Sequence, residues 1–138
     1  MRDVDEGTQL FALWLFILMN IVFRDLHEFA KKDFLEMLLT GTYNGIQITE
    51  ELLLLGGVLS LVPISMLVVS LLLERRFAKP LTFGAAFIQT VTMLSSPPGD
   101  LDDILHLSVE LLAMAAILRI AWRWRAAPLN DAAALLRS

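Results

Sequence analysis

Cysteine is absent from this chain of 138 residues. Its absence excludes disulfides, thiolate nucleophiles and cysteine-based zinc or iron–sulfur ligation, and it leaves the redox compartment open. A glycine loop that could cradle phosphates is also missing, since Gly56 and Gly57 lie inside an apolar stretch typical of helix packing. No serine has a histidine partner that the sequence identifies, so no catalytic constellation is recognisable.

Charge is scarce as well. Charged residues make up 19% of the chain, the formal net charge is −4, and no basic surface of the kind that binds nucleic acid is present. Hydrophobic residues make up 57%, and the mean hydropathy of +0.66 exceeds what a soluble domain of this size carries. The composition therefore predicts an integral membrane protein whose first partner is the lipid bilayer.

Four apolar stretches follow one another, at residues 8–29, 46–73, 81–96 and 103–124. Each approximates one span, since roughly 20 residues at about 1.5 Å per residue cross the hydrocarbon core. The first is not read as a signal peptide, because it begins with Asp3, Asp5 and Glu6 and no small-residue cleavage site follows. We predict an all-α fold, a four-helix transmembrane bundle, as a single domain over residues 1–138.

The connections carry three further predictions. Residues 33–39 have the pattern of a short amphipathic helix at the interface, ended by Gly41, after which Asn44 and Gly45 turn the chain inward. Residues 95–99 form a tight exposed loop, because paired prolines cannot continue a helix. Residues 125–138 form a tail in which residues 132–136 start a short helix.

Basic residues near the span ends predict the orientation. Arg75, Arg76 and Lys79 place the second loop in the cytoplasm, and the arginine and tryptophan cluster at residues 119–125 places the C-terminus there too. The acidic third loop, at residues 100–103, then falls outside. The expected localisation is the inner (plasma) membrane, multi-pass, with the N-terminus and C-terminus both cytoplasmic.

Small residues indicate how the helices meet, since helices in lipid associate by close packing. The packing surfaces are predicted at Gly56, Gly57 and Ser60, at residues 84–86, and at Ala113, Ala115 and Ala116. Pro63 bends the second helix and frees a carbonyl near Leu59 that Ser60 or a neighbouring helix could satisfy. These surfaces predict a homo-oligomer, most simply a dimer, or association with a partner membrane protein.

A polar layer crosses all four helices. Counting inward from the outer helix ends puts the following residues at a common depth, on the order of 10 Å below the boundary: Arg24, Asp25, Glu50, Glu51, Gln89 and Glu110. Asn20, Arg24 and Glu28 share one stripe of the first helix, which predicts that this helix continues with the stripe turned inward. Accessory positions are His27, Thr49 and His106.

Two interpretations of this layer stay open. It is an ion-pair network, Arg24 with Glu110 or Glu51, that specifies helix assembly and does nothing else. Alternatively it is a site, an intramembrane polar pocket that opens toward the outer face, because one arginine cannot neutralise several buried carboxylates, so that at least one should hold a proton or a cation. Arg24, Asp25, Glu28, Glu51, Gln89 and Glu110 are the candidate ligand-binding and proton-binding residues.

The two histidines and the i, i+4 spacing of His106 and Glu110 are compatible with metal or haem binding. Lone histidines in a helical protein are more often hydrogen-bonding residues than ligands, so neither a metal nor a cofactor is predicted.

The chain also resembles a family of uncharacterised four-pass bacterial membrane proteins, a domain of unknown function. The resemblance rests on residues 13–16 with Arg24 and Asp25, on residues 45–49 and 63–66, and on Glu110 with residues 121–124. It implies an integral membrane protein and supplies no activity. Because of the polar layer, the leading expectation is binding or transport of a small polar or cationic ligand with proton coupling. A non-catalytic interaction subunit is the main alternative, and a membrane enzyme or redox component ranks behind both.

Overall fold

The computed structural model describes residues 4–43, 45–95 and 98–124. These ranges contain five helices, namely α1 (Glu6–Glu28), α2 (Lys32–Leu39), α3 (Glu50–Leu72), α4 (Arg75–Ser95) and α5 (Leu101–Arg123). A small hairpin, β1 (Thr42–Tyr43) antiparallel to β2 (Ile46–Gln47), precedes α3. The predicted all-α class is confirmed. Asn44, Ser96, Pro97 and the tail at residues 125–138 lie outside the described residues, and with them the predictions made for the tail.

Side-chain caps determine where three of the long helices begin. Asp5 accepts a hydrogen bond from the Thr8 amide at 3.0 Å, and Asp100 accepts one from the Asp103 amide at 2.9 Å. Thr49 does the same for the Leu52 amide at 3.3 Å. These bonds satisfy amide groups that have no partner inside the helix. The second apolar stretch accordingly becomes helical at Glu50 rather than at residue 46, because residues 46 and 47 pair in the hairpin.

Two prolines lie within helices, and both correct an expectation. Pro80 is inside α4, which begins at Arg75 and not at residue 81, because a proline near a helix start removes a single backbone hydrogen bond. Pro63 is inside α3, where it leaves the Leu59 carbonyl without an intrahelical donor. Ser60 does not satisfy that carbonyl, since its hydroxyl donates to the Gly56 carbonyl at 2.9 Å.

Three helices, α1, α3 and α5, are each 23 residues long and apolar enough to cross a membrane. Helix α4 differs because Arg75, Arg76 and Lys79 occupy its first turns. The chain is thus a membrane protein by the length and composition of three helices.

The four long helices pack in a ring, in which α1 and α4 each lie between α3 and α5. Gly7, near the start of α1, lies against the C-terminal end of α3, where a Cβ at Gly7 would be 2.7 Å from the Ser70 carbonyl oxygen. Only glycine allows this approach without a shift of the backbone. Helices α1 and α5 are also antiparallel, since Lys31, just after α1, bonds Asp100, just before α5. One end of the ring, the Asp100 end, therefore carries the loops before α3 and α5.

The core lies along helical stripes. Leu10, Trp14 and Ile17 of α1 are fully buried and pack with alanine and methionine side chains of the other helices. The outward faces are apolar, as at Leu54, Phe87 and Leu112, which suits a lipid environment. Trp14 is thus a core residue, although its indole nitrogen has no hydrogen-bond partner in the described part of the chain.

Among the small residues predicted to pack, alanines and not glycines form the close helix contacts. Ala85, Ala86 and Ala113 are buried as predicted, but Ala115 is exposed. A Cβ at Gly56, Gly57 or Gly84 would have no neighbour within 4 Å, so the predicted packing role of these glycines is wrong within one chain. Gly57 and Gly84 are exposed on their helices.

The basic cluster at the start of α4 has a structural role. Arg75 Nε donates to the Trp124 carbonyl at 2.8 Å, and Lys79 Nζ donates to the Trp122 carbonyl at 3.1 Å. These cations lie at the C-terminal end of α5, where the helix dipole favours positive charge. The residues that predicted a cytoplasmic loop therefore also join α4 to α5.

Candidate functional site

Glu110 lies on the buried stripe of α5. Its side chain is 0% exposed, and Ala113, Met114, Ile117 and Ala121 continue the same face toward the C-terminus. Residues three, four, seven and eleven positions apart share one side of a helix, so the periodicity turns a carboxyl group toward the other helices. The prediction that Glu110 lies inside the bundle is confirmed.

Asn20 of α1 is the partner of that carboxyl group. Its Nδ2 donates to Glu110 Oε1 at 2.8 Å and to the His106 carbonyl at 3.3 Å. Its Oδ1 lies 2.7 Å from His106 Nδ1 and accepts a hydrogen bond from it, because an amide oxygen has no hydrogen to donate. The amide thereby connects one turn of α1 to two successive turns of α5.

The second oxygen of Glu110 has no partner. Oε2 is buried and makes no hydrogen bond to any residue in the described ranges. A buried carboxylate oxygen without a donor or counter-charge is costly, and such a group is normally satisfied by a proton, a cation or water.

A cavity of about 320 Å³, the Glu110 cavity, adjoins this group. All four long helices contribute to its walls, which are mostly apolar. The lining residues are Leu18, Ile21, Val22, Arg24, Asp25, Gly56, Leu59, Ser60, Pro63, Ile64, Gln89, Thr92, Met93 and Glu110. Gln89 is only 5% exposed, and its amide has no hydrogen-bond partner within the part of the chain that the structure describes.

A second cavity of about 300 Å³, the Phe34 cavity, lies nearer the Asp100 end. Its walls combine aromatic rings with carboxylates: Arg24, Asp25, Glu28, Phe29, Phe34, Tyr43, Pro98, Asp103 and Leu107. Arg24 and Asp25 line both cavities, so the two cavities meet at this pair.

Lys31 binds two carboxylates at the Asp100 end, those of Asp100 and Glu28. These two acceptors raise the pKa of Lys31, Asp100 contributing more than Glu28. The ammonium group, with the Asp103 amide, lowers the pKa of Asp100. Carboxylate oxygens of Glu28, Asp100 and Asp103 lie within 4.8 Å of one another, a spacing compatible with a cation, but Lys31 already bridges two of the three.

Asp102 lies between the two histidines of the chain. One of its oxygens is 3.6 Å from His106 Nε2, and the other is 3.9 Å from His27 Nε2. His106 therefore stands between Asp102 and Asn20, one turn from Glu110. His27 remains on the exposed surface of the Asp100 end.

The structure brings together part of the predicted set. Arg24, Asp25, Gln89 and Glu110 line the Glu110 cavity, whereas Glu28 lines the Phe34 cavity. The stripe of Asn20, Arg24 and Glu28 is half-buried, and α1 continues to Glu28 as predicted.

Glu51 and Thr49 stand apart from both cavities. Glu51 is exposed in the first turn of α3, and Thr49 is the cap of that helix. The expected ion pair of Arg24 with Glu110 or Glu51 is not found, since among residues 4–43, 45–95 and 98–124 no carboxylate lies within 4.0 Å of the Arg24 guanidinium. Asn20 occupies the place next to Glu110 instead.

Sequence reasoning did not assign Asn20, Asp102 or the aromatic residues Phe29, Phe34 and Tyr43 to the site. For Asn20 a signal existed, because it is four residues before Arg24 on the same inward stripe. For the aromatic residues no signal existed, because the hairpin before α3 brings Tyr43 to within 6.1 Å of Phe34.

The chain belongs to a family of unknown function, DUF6326, whose model matches residues 3–130. None of the curated proteins matches it, and none of the solved structures does. The resemblance to an uncharacterised domain family is thereby confirmed, and the family adds no activity to what the residues indicate.

Proposed function

We propose that this protein is a four-pass protein of the inner (plasma) membrane that binds or transports a small cation, and that Glu110 exchanges a proton for that cation. The observation that carries the proposal is the buried Glu110 Oε2, which has no partner among the described residues and lines a cavity. An ionised carboxylate is costly to bury alone, so the group is satisfied by a proton or by a cation in turn.

The other charges around the cavity are few. Arg24 and Asp25 of α1 line it, whereas its lining residues from α3 and α4 are uncharged. His106 and Asp102 of α5 lie behind Asn20. Glu110 is therefore the fully buried ionisable group in the lining, and the Arg24–Asp25 pair stands where the two cavities meet.

Thermal unfolding of the purified protein in neutral-detergent micelles tests the proposal. The probes are sodium, guanidinium, methylammonium and phenethylammonium, each added as the chloride. We expect at least one of them to stabilise the wild type, by about 2.7 kcal/mol at a hundred times its Kd. The stabilisation should grow as the pH rises, because fewer protons then compete for Glu110.

The comparison variants are Glu110→Gln and Glu36→Gln. Glu36 is exposed on α2, where it pairs with Lys32 at 3.4 Å, far from the cavity lining. Glu36→Gln should keep the stabilisation, and Glu110→Gln should lose it. If none of the four probes stabilises the wild type more than Glu110→Gln at any pH, the proposal is wrong.

One observation favours a second candidate, a non-catalytic subunit in which the same residues only specify assembly. Asn20 joins α1 to α5 through three hydrogen-bonding contacts, which suits interhelical adhesion. In that case Glu110→Gln should lower the midpoint of unfolding, and no probe should shift it.

A further inference from the structure

We propose that the cation taken up in the Glu110 cavity is a primary ammonium ion carrying a small apolar group, and that the Phe34 cavity is its entry site. This inference rests on the proposed function and names the ligand class.

The wall of the Glu110 cavity is mostly apolar. Its oxygen atoms come from Asp25 and Glu110, the Gln89 amide, the Ser60 and Thr92 hydroxyls, and the Leu59 carbonyl that Pro63 leaves without a donor. Calcium takes six to eight oxygen ligands and magnesium a full octahedron, whereas a mostly apolar wall better suits a cation that carries a hydrocarbon group.

An alkyl or aryl ammonium ion has such a group. Its N–H donors suit the unpartnered Glu110 Oε2 and the Gln89 amide oxygen, and its apolar part suits the wall formed by Leu18, Ile21, Val22, Ile64 and Met93. The volume of about 320 Å³ exceeds that of a bare ion and lies at the lower limit of pockets that bind small molecules.

The Phe34 cavity has the matching chemistry for entry. Phe34 packs edge to face on Phe29 at 5.5 Å and on Tyr43 at 6.1 Å, measured between ring centroids. All three rings line the cavity, together with the carboxyl groups of Asp25, Glu28 and Asp103. Aromatic faces attract ammonium ions, and the carboxylates outnumber the single guanidinium of Arg24.

The exchange balances without a further reactant. The protonated Glu110 carboxyl group and the incoming R–NH₃⁺ give the Glu110 carboxylate paired with R–NH₃⁺, and the displaced proton leaves to solvent. No covalent bond to carbon forms or breaks. The Arg24–Asp25 pair, common to both cavities, is the point that the ion passes between entry and binding.

Equilibrium dialysis on the full chain in zwitterionic nanodiscs tests this inference, with labelled phenethylammonium as the probe. Neutral 2-phenylethanol and sodium are the comparison ligands. We expect the wild type to bind phenethylammonium saturably. Its affinity for 2-phenylethanol, and the affinity of the Glu110→Gln variant for phenethylammonium, should each be lower by at least about tenfold, because the neutral ligand and the neutral variant each lack one charge of the ion pair.

The entry site is tested with Phe34→Leu and Tyr43→Leu. The matched control is Phe87→Leu, since Phe87 is 72% exposed on α4 and lines neither cavity. Each entry-site variant should weaken binding on the order of threefold to tenfold, and the control should not. Equal affinities for all three variants would overturn the entry site.

Failure of this inference is distinguishable from failure of the proposed function. If sodium, guanidinium or methylammonium stabilises the wild type through Glu110 while phenethylammonium does not bind, the ligand class is wrong and the exchange at Glu110 stands. If 2-phenylethanol binds as tightly as phenethylammonium, the charge has no role and the ligand class is again wrong.

Discussion

Asn20, and not Arg24, is the hydrogen-bonding partner of Glu110 in the polar layer. The sequence contains one arginine near Glu110, and arginine is the usual partner of a buried carboxylate, so Arg24 was the expected counter-ion. The structure instead gives Glu110 a neutral amide at 2.8 Å. The depth of Glu110 and the inward stripe of α1 were predictable from spacing. Which member of that stripe touches Glu110 depends on how α1 rotates against α5, and spacing does not encode that rotation.

A double-mutant cycle at Asn20 and Glu110 tests this pairing. Asn20→Leu removes a donor from a buried carboxyl group and should lower the free energy of unfolding by about 1–3 kcal/mol. Glu110→Leu in the Asn20→Leu background should recover part of the loss, because two apolar partners leave no unsatisfied group. The measurement is reversible unfolding in mixed micelles.

Arg24→Leu is the comparison in the same assay. Arg24 has no carboxylate within 4.0 Å in the described ranges and is half-buried, so its loss should cost less than that of Asn20. Strictly additive effects in the cycle, or a larger loss from Arg24→Leu, would contradict the pairing.

The start of helix α4 is not marked clearly in the sequence. The other long helices were predictable because apolar runs and caps mark them, as Asp5 and Asp100 mark α1 and α5. The sequence predicts a start of α4 at residue 81, six residues after the observed start at Arg75. Pro80 is typical of a helix boundary, but α4 contains it. The hairpin before α3 was missed because each of its strands has two residues, too few for a periodic pattern.

If α4 crosses the membrane, the residues just before it and just after it lie on opposite sides of the bilayer. The chain has no cysteine, so a single introduced cysteine reports one position. Glu74→Cys and Gly99→Cys flank α4 at exposed positions, whereas Ala78 is fully buried and could not report access. A membrane-impermeant maleimide should label residue 99 in intact cells and residue 74 after permeabilisation, since the basic cluster predicts a cytoplasmic loop.

Labelling of both positions from one side would show that α4 does not cross, which contradicts the four-pass proposal. Labelling of residue 74 in intact cells with protection of residue 99 would keep the crossing and reverse the predicted orientation of the termini.

In the whole molecule, a ring of four helices has an apolar outer surface and a mostly apolar core that holds a few polar groups, among them Gln89 and Glu110. Composition predicted that surface, because a chain with 57% hydrophobic residues cannot bury them all in its own core. The polar layer predicts a pocket, but the shape of the Glu110 cavity was not predictable, since it depends on how residues of all four long helices pack, among them Pro63, Gln89 and Glu110. The homo-oligomer expected from the glycine faces stays a prediction, and the open faces at Gly57 and Gly84 are compatible with it.

The central claim is that Glu110 exchanges a proton for a cation, and infrared difference spectroscopy of the protein in nanodiscs tests it most directly. At neutral pH the wild type and Glu36→Gln should show the carbonyl band of one protonated, buried carboxyl group, and Glu110→Gln should lack it. Perfusion with the four chloride salts should remove that band for each cation that binds. Identical spectra for the wild type and Glu110→Gln in the carboxylic-acid region, with and without the salts, would contradict the account.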